Sequence, residues 1–287
     1  MTRRAFAPGH VSGLFAVHDE ASDPLAKGSR GAGWSLDAGA TATVRPGRGA
    51  ITVDGQPRDL PVTAAAVRAL APAASLDVEL RLDLPVGQGF GMSAAGTLAA
   101  CLAAVAELDL EPEHALAAAH AAEVTAGTGL GDVVGSWNGA GELRLKPGVP
   151  PHGWAMRVDP APGARFLFCV MGEGIPTPRI IKDAAWKLKT RALGDPAVDR
   201  ILAAGRARAW EVLLDEAHAF SLALGLMPVA MRALGDMLPP ETRWGQSMLG
   251  NTLWCTGGGL DEAERLLAPH GMVVAAGVDP NGARLVR

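Results

Sequence analysis

Glycines at 87, 89 and 91 alternate through the stretch Pro85–Ala95 (PVGQGFGMSAA), and a serine follows at 93. Before it, Leu76, Val78, Leu80, Leu82 and Leu84 recur at period two through Ser75–Leu84, as a half-buried strand requires. After it, Ser93–Leu108 is apolar on every face, as in a helix packed on several sides. A glycine-rich turn leading into a helix presents unpaired amides and the positive end of the helix dipole, so the unit is suited to a phosphate. Two carboxylates follow, Glu123 and Asp132, in HAAEVTAGTGLGDVVGS. Phosphoryl transfer needs the γ-phosphate charge neutralised by amides and metal, and the attacking hydroxyl placed beside a carboxylate. One carboxylate and one hydroxyl suffice to anchor a largely hydrated Mg²⁺. A dinucleotide fingerprint does not fit, because the spacing is GxGxG and no acidic residue ends a second strand about twenty positions on. A Walker A loop does not fit either, since no Gly-Lys-Ser/Thr closes the turn. The residues alone leave other readings open: a tight turn without ligand, Asp132 as a helix cap, and Glu123 as a solvated charge at a helix end.

Pro85–Ala95 resembles the second motif of the GHMP kinases (galactokinase, homoserine kinase, mevalonate kinase and relatives), written P-x-x-x-G-L-G-S-S-A-A. It matches at Pro85, Gly89, Gly91, Ser93, Ala94 and Ala95, while Phe90 replaces the leucine and Met92 the first serine. The resemblance implies that Pro85, Gly87, Gln88, Gly89, Phe90, Gly91, Met92, Ser93, Ala94 and Ala95 bind ATP, with Ser93 also reaching Mg²⁺. APGHVSGLF is similar to the family's first motif, which implies acceptor-binding roles for His10 and Ser12, a structural histidine being the alternative. HAAEVTAGTGLGDVVGS is similar to the block in which a glutamate coordinates Mg²⁺ and an aspartate takes the proton of the acceptor hydroxyl. Glu123 and Asp132 occupy those positions. The family's third motif falls on either Gly245–Thr252 (GQSMLGNT) or Cys255–Leu260 (CTGGGL), and the sequence leaves the choice open.

APGHVSGLF, GSRGAGWSLDAG and GTGLGDVVG together look most like the archaeal-type pantoate kinases of this family, which phosphorylate the terminal hydroxyl of pantoate on the way to coenzyme A. The segment from Lys27 to Gly33 (KGSRGAG) carries two cations and a serine on what reads as a flexible loop. Lys27 and Arg30 are therefore expected at the substrate carboxylate, which arginine holds through two parallel hydrogen bonds, and a solvated loop is the alternative. Arg179 and Lys182 are candidates to close the site from the second half. Other acceptors (mevalonate-, shikimate- or homoserine-like) and a GHMP-fold sensor without turnover are the competing readings. The presence of Ser93, Glu123 and Asp132 together weighs against the sensor.

These residues need a scaffold. Extended segments are expected at Arg3–Ala7, Gly13–His18, Trp34–Val44, Ile51–Val53 and Arg165–Met171, and helices at Pro61–Leu70 and Glu113–Thr125, the latter opened by Pro112. Further helices are expected at Pro178–Ala192, Pro196–Arg208, Trp210–Leu224 and Pro228–Met237. Pro147–Pro162 reads as a seam between two lobes. The end of the chain reads as two strands around the hairpin signal Asp279-Pro280-Asn281-Gly282. The layout is α+β, a sheet with helices on one face in each half. The resemblance implies the two-lobed GHMP-kinase fold, with a ribosomal-protein-S5-like lobe over 1–160 and a ferredoxin-like lobe over 161–287. Net charge is −4 with pI near 6.0, and there is no basic stripe, which argues against a nucleic-acid partner. No apolar run suggests a membrane span. The 3 cysteines lack CxxC spacing, and the N-terminus lacks the apolar core of a leader, so a reducing, cytoplasmic setting is expected. Oligomeric state is open, a homodimer being one option.

Overall fold

The computed structural model describes residues 2–173 and 182–287. Its first strand, β1 (Arg3–His18), joins the two extended segments expected on either side of Pro8-Gly9. The Pro-Gly pair does not turn the chain. It is absorbed as a register shift between Pro8 and His10, with a second between Ser12 and Leu14, so one strand bends and continues. The strand is buried along nearly its whole length, which fits its run of small and apolar residues without alternation. β2 (Gly28–Pro46) pairs with it on both sides of Leu36–Ala38. The segment read as a flexible loop, Lys27–Gly33, is thus strand from Gly28 onward.

The chain continues through β3 (Ile51–Val53), β4 (Gln56–Pro57), α1 (Pro61–Leu70), β5 (Leu76–Leu82), α2 (Met92–Glu107), α3 (Pro112–Ala126), α4 (Asp132–Asn138), β6 (Gly141–Lys146) and β7 (Trp154–Val158). Trp154–Val158 lies inside the expected seam, yet it pairs with β6 as a strand of the first sheet. Next come β8 (Arg165–Val170), α5 (Ala184–Ala203), α6 (Ala209–Leu224), α7 (Val229–Gly235), β9 (Thr242–Gln246), β10 (Thr252–Gly257), α8 (Leu260–Leu267), β11 (Met272–Gly277) and β12 (Arg284–Val286). The first sheet runs β12-β1-β2-β5-β3-β4, with β6 and β7 attached beside β2, and the second is an antiparallel β11-β8-β10-β9.

Three expectations are corrected. First, the break before Pro196 is absent, and Pro196 lies inside α5. An interior proline costs about 3 kcal/mol, and docking on β1 offsets it. Gly194 lies so close to β1 that a methyl there would stand 2.5 Å from the Phe15 carbonyl oxygen. The expected start of this helix at Pro178 falls outside the described residues. Second, the C-terminal strands form no hairpin: β11 joins the second sheet and β12 pairs with β1 in the first. The Asp279 carboxylate takes the amides of Asn281 and Gly282, and the Ala283 amide donates to Ser136, so the turn is fastened to α4 and led away from β11. Third, helices cover both faces of β1. His10 and Ser12 point to Asp132 on α4, whereas a methyl on Gly13 would stand 2.8 Å from Ala217 on α6. The three cysteines are free and buried, and among the described residues no helix is long and apolar enough to cross a membrane.

Candidate active site

β5 delivers the chain into the glycine loop, and α2 carries it away. Gly87, Gly89 and Gly91 have φ of 78°, 83° and 59°, a region that other residues enter only with strain. Gly91 is the N-cap of α2 and no side chain caps the helix, so its first-turn amides are left for a ligand. A cleft of about 270 Å³ opens there, lined by Gly87, Gly89, Gly91, Met92, Ser93 and Ala94 on one side and by Glu123, Thr128, Gly131, Asp132, Ser12 and Ser29 on the other. Pro85, Gln88, Phe90 and Ala95, expected to contact nucleotide, are not among the residues that line this cleft. Phe90 is buried against Phe168, Gln88 donates to the Gly172 carbonyl, and Ala95 is inside the core.

Of the two candidate third motifs, the Gly245–Thr252 segment is the one that meets the loop. The Thr252 hydroxyl donates to the Gln88 carbonyl at 2.7 Å, the Met248 amide donates to the Ser12 carbonyl, and Met248 and Leu249 line the cleft. Cys255–Leu260 instead runs through β10 to a turn against Glu241.

Glu123 sits in the last turn of α3, which Gly127 ends in a left-handed C-cap. It is buried, not solvated. Its Oε1 accepts from Ser93 Oγ at 2.7 Å and its Oε2 from Thr128 Oγ1 at 2.6 Å. Burial raises the Glu123 pKa, the Ser93 and Thr128 hydroxyls counter this, and the Asp132 charge adds to the rise. Asp132 does not cap α4, whose N-cap is Gly131. Instead its Oδ1 accepts from His10 Nδ1 at 2.8 Å and from Ser12 Oγ at 3.2 Å, and its side chain stays 27% exposed at the cleft wall. Burial pushes its pKa up, but the bonded and charged His10, with Arg144 and Ser12, outweighs this and holds it below the usual aspartate value.

Several expected substrate contacts are corrected. His10 is fully buried behind Asp132, so it touches Asp132 and not the cleft. Arg30 follows Ser29 on β2, and strand alternation turns it to the other face. There it donates to Asp195 at 2.9 Å, Asp199 at 2.6 Å and the Leu145 carbonyl, bridging the sheet to α5. Lys27 lies outside the cleft lining, and its carbonyl meets His120 Nε2 at 2.9 Å. Lys182 does approach: a methyl on Gly127 would stand 2.9 Å from its Cε. Arg179 lies outside the described residues.

Glu142 and Arg144 on β6 were not anticipated. Their signal was faint, two opposite charges at i and i+2 on either side of Leu143, and hence on one face of a strand. Glu142 accepts from His10 Nε2 at 3.0 Å and, through its other oxygen, from Arg144 Nη1. Arg144 is 2% exposed, and its Nε and Nη2 have no partner among the described residues.

The glycine loop can be tested directly as a phosphate site. A side chain at Gly91 would stand 3.0 Å from the His10 carbonyl oxygen and 3.3 Å from Asp132 Cβ, at positive φ. Left-handed strain of roughly 1–2 kcal/mol for a residue with a Cβ should make Gly91→Val bind ATP about tenfold or more weakly by calorimetry. A folded variant with unchanged affinity places the phosphates elsewhere.

Residues 61–140 match the family model described as GHMP kinases N terminal domain. The chain is 28% identical over 253 residues to a pantoate kinase of Methanocaldococcus jannaschii, covering 87% of this chain and 91% of that protein. It is 34% identical over 167 residues to a pantoate kinase of Thermococcus kodakarensis, covering 53% of this chain and 55% of that protein. A solved structure described as a phosphotransferase related to the CoA biosynthesis pathway superposes with a TM-score of 0.86 at 26% identity, over 100% of this chain and 99% of that one. With the glycine loop, Ser93, Glu123 and Asp132 gathered in one cleft, these likenesses show that residues 61–140 form a GHMP kinases N terminal domain and that the chain is an ATP-dependent small-molecule kinase.

Proposed function

We propose that the protein phosphorylates the terminal hydroxyl of pantoate, giving 4-phosphopantoate for coenzyme A biosynthesis. The observation that carries the acceptor is Arg144. A buried guanidinium with two unpaired N–H groups is costly unless a ligand supplies acceptors. Gly131, which lines the cleft, covers it: a methyl there would stand 2.7 Å from Arg144 Nε and Cζ and 2.8 Å from Ser29 Oγ. Arg144 itself lies behind the cleft lining, so a small carboxylate bound beside the Ser29 hydroxyl would reach this guanidinium as the Gly131 backbone, which carries no side chain, shifts aside, and a planar fork suits a carboxylate. The relatives named pantoate kinase supply the identity of the acid.

Ser93 Oγ and Glu123 Oε1, 2.7 Å apart, are an oxygen pair of the kind a hydrated Mg²⁺ takes, and these two residues would hold it. Bound there, Mg²⁺ would offset negative charge on the transferring phosphoryl group. The amides at Gly91–Ser93 bind the terminal phosphates of ATP. Asp132 orients the acceptor hydroxyl with the carboxylate oxygen not engaged by His10 and Ser12. As the hydroxyl oxygen bonds to the γ-phosphorus, the bond to the β–γ bridging oxygen breaks and ADP leaves. The hydroxyl proton passes to Asp132.

The test is ATP turnover with pantoate, mevalonate, homoserine and shikimate. A kcat/KM for pantoate well above the rest supports the reading, and a better acceptor among the others overturns it.

A further inference from the structure

We propose that His10 and Glu142 are positioning residues that, with Arg144, form a buried chain of alternating charge linking the base Asp132 to the end of the cleft where the acceptor carboxylate is recognised. The recognition end rests on the reading of Arg144 above; the hold on Asp132 does not.

The chain runs Asp132 Oδ1, His10 Nδ1 at 2.8 Å, His10 Nε2, Glu142 Oε2 at 3.0 Å, then Glu142 Oε1 and Arg144 Nη1. His10 and Glu142 are fully buried, and Arg144 nearly so. Both ring nitrogens face carboxylates, and an ionised carboxylate only accepts, so the ring donates twice and is an imidazolium. Two cations then alternate with two anions and no net charge is buried, the condition under which such a group is tolerated.

The ring cannot turn. A methyl on Gly33 of β2 would stand 2.6 Å from His10 Nε2, and one on Gly135 of α4 would stand 2.2 Å from His10 Cδ2, so two glycines form the slot that fixes it. The His10 amide also donates to the Phe90 carbonyl at 2.8 Å, which ties the same residue to the glycine loop. The consequence is a base with one oxygen immobilised and one left for the hydroxyl.

The charged groups facing His10 are Asp132 from α4 and Glu142, backed by Arg144, from β6. The glycine loop and β2 present backbone at Phe90 and Gly33, and Glu123 from α3 faces Asp132. Burial lowers the imidazole pKa, but the Glu142 charge and the two carboxylate hydrogen bonds raise it to about 9. Because the folded value lies above the ordinary 6.5, the stabilisation is complete below that pH and is lost as pH rises through about 9.

The primary test needs no variant and no acceptor. Nitrogen-15 NMR of histidine-labelled wild-type protein should show His10 protonated on both nitrogens at pH 7, losing a proton near pH 9. A neutral ring at pH 7 overturns the proposal. The kinetic test uses the best acceptor in the panel above, so a wrong acceptor assignment does not disturb it. Wild-type kcat should fall on the alkaline side near pH 9, and Glu142→Gln should move that fall to lower pH with kcat about 10- to 100-fold down and KM for ATP little changed. His10→Asn, which keeps a donor toward Asp132 but cannot titrate, should lose the alkaline fall. A role confined to packing would lower the melting temperature and leave the fall where it is in folded Glu142→Gln, which also overturns the proposal. If neither variant folds, the NMR result decides.

Discussion

Asp132→Asn is expected to lower kcat by about 10²–10⁴-fold at saturating ATP, pantoate and Mg²⁺, the usual worth of a general base. A primary hydroxyl is a poor nucleophile at neutral pH, and the Asp132 oxygen not held by His10 and Ser12 is the acceptor at the cleft wall that can take its proton. Asparagine preserves the shape and can still accept the His10 and Ser12 bonds through its carbonyl oxygen. It then presents an amide N–H₂, a donor, where the hydroxyl needs an acceptor. Substrate affinities should therefore be nearly unchanged. Glu123→Gln gives the contrast: its proposed partner is the metal, so it should raise the Mg²⁺ concentration needed for half-maximal rate as well as slow turnover. Steady-state kinetics on variants shown folded by thermal melting decide the matter. A folded Asp132→Asn enzyme that keeps more than about a tenth of wild-type kcat removes Asp132 as the base, and positioning with charge neutralisation alone would then carry the reaction.

Arg144→Lys is expected to raise KM for pantoate by about 10- to 100-fold with KM for ATP nearly unchanged, since a hydrogen bond to a charged group is worth roughly 1.5–3 kcal/mol. Lysine keeps the positive charge beside Glu142, so the buried chain stays neutral, but a point charge cannot supply the planar two-point contact of a guanidinium. The informative comparison is pantoate against its uncharged amide. Wild type should strongly prefer the acid, and the preference should narrow in the variant. Arg144→Met should add a loss of stability of about 3–5 kcal/mol, because it leaves Glu142 one cation short in a buried site. If acid and amide change equally in Arg144→Lys, or if both substrates' KM values rise together, Arg144 serves the fold and carboxylate recognition lies elsewhere.

By itself the sequence determined the parts whose chemistry is local. The period of two before Leu84, the alternating glycines and the apolar helix after Ser93 define the loop within one contiguous stretch, because glycine spacing and side-chain periodicity act over a few residues. Glu123 and Asp132 were marked locally by the glycines that end one helix and begin the next, but those residues alone left a solvated charge and a helix cap open, and the resemblance of three ordered blocks carried their roles. Other parts depended on strand register, and only the tertiary structure decided them. His10 lies 122 positions from Asp132 and 132 from Glu142, and nothing local shows that a bulged β1 aims it at both. Arg30 and Arg144 look alike in the sequence, each a cation in a short strand-like run. Alternation on β2 sends Arg30 outward to Asp195 and Asp199, whereas alternation on β6 sends Arg144 inward beside Gly131. Shifting either strand by one residue would exchange their faces, so the choice of which arginine is buried beside the cleft belongs to the assembled sheet.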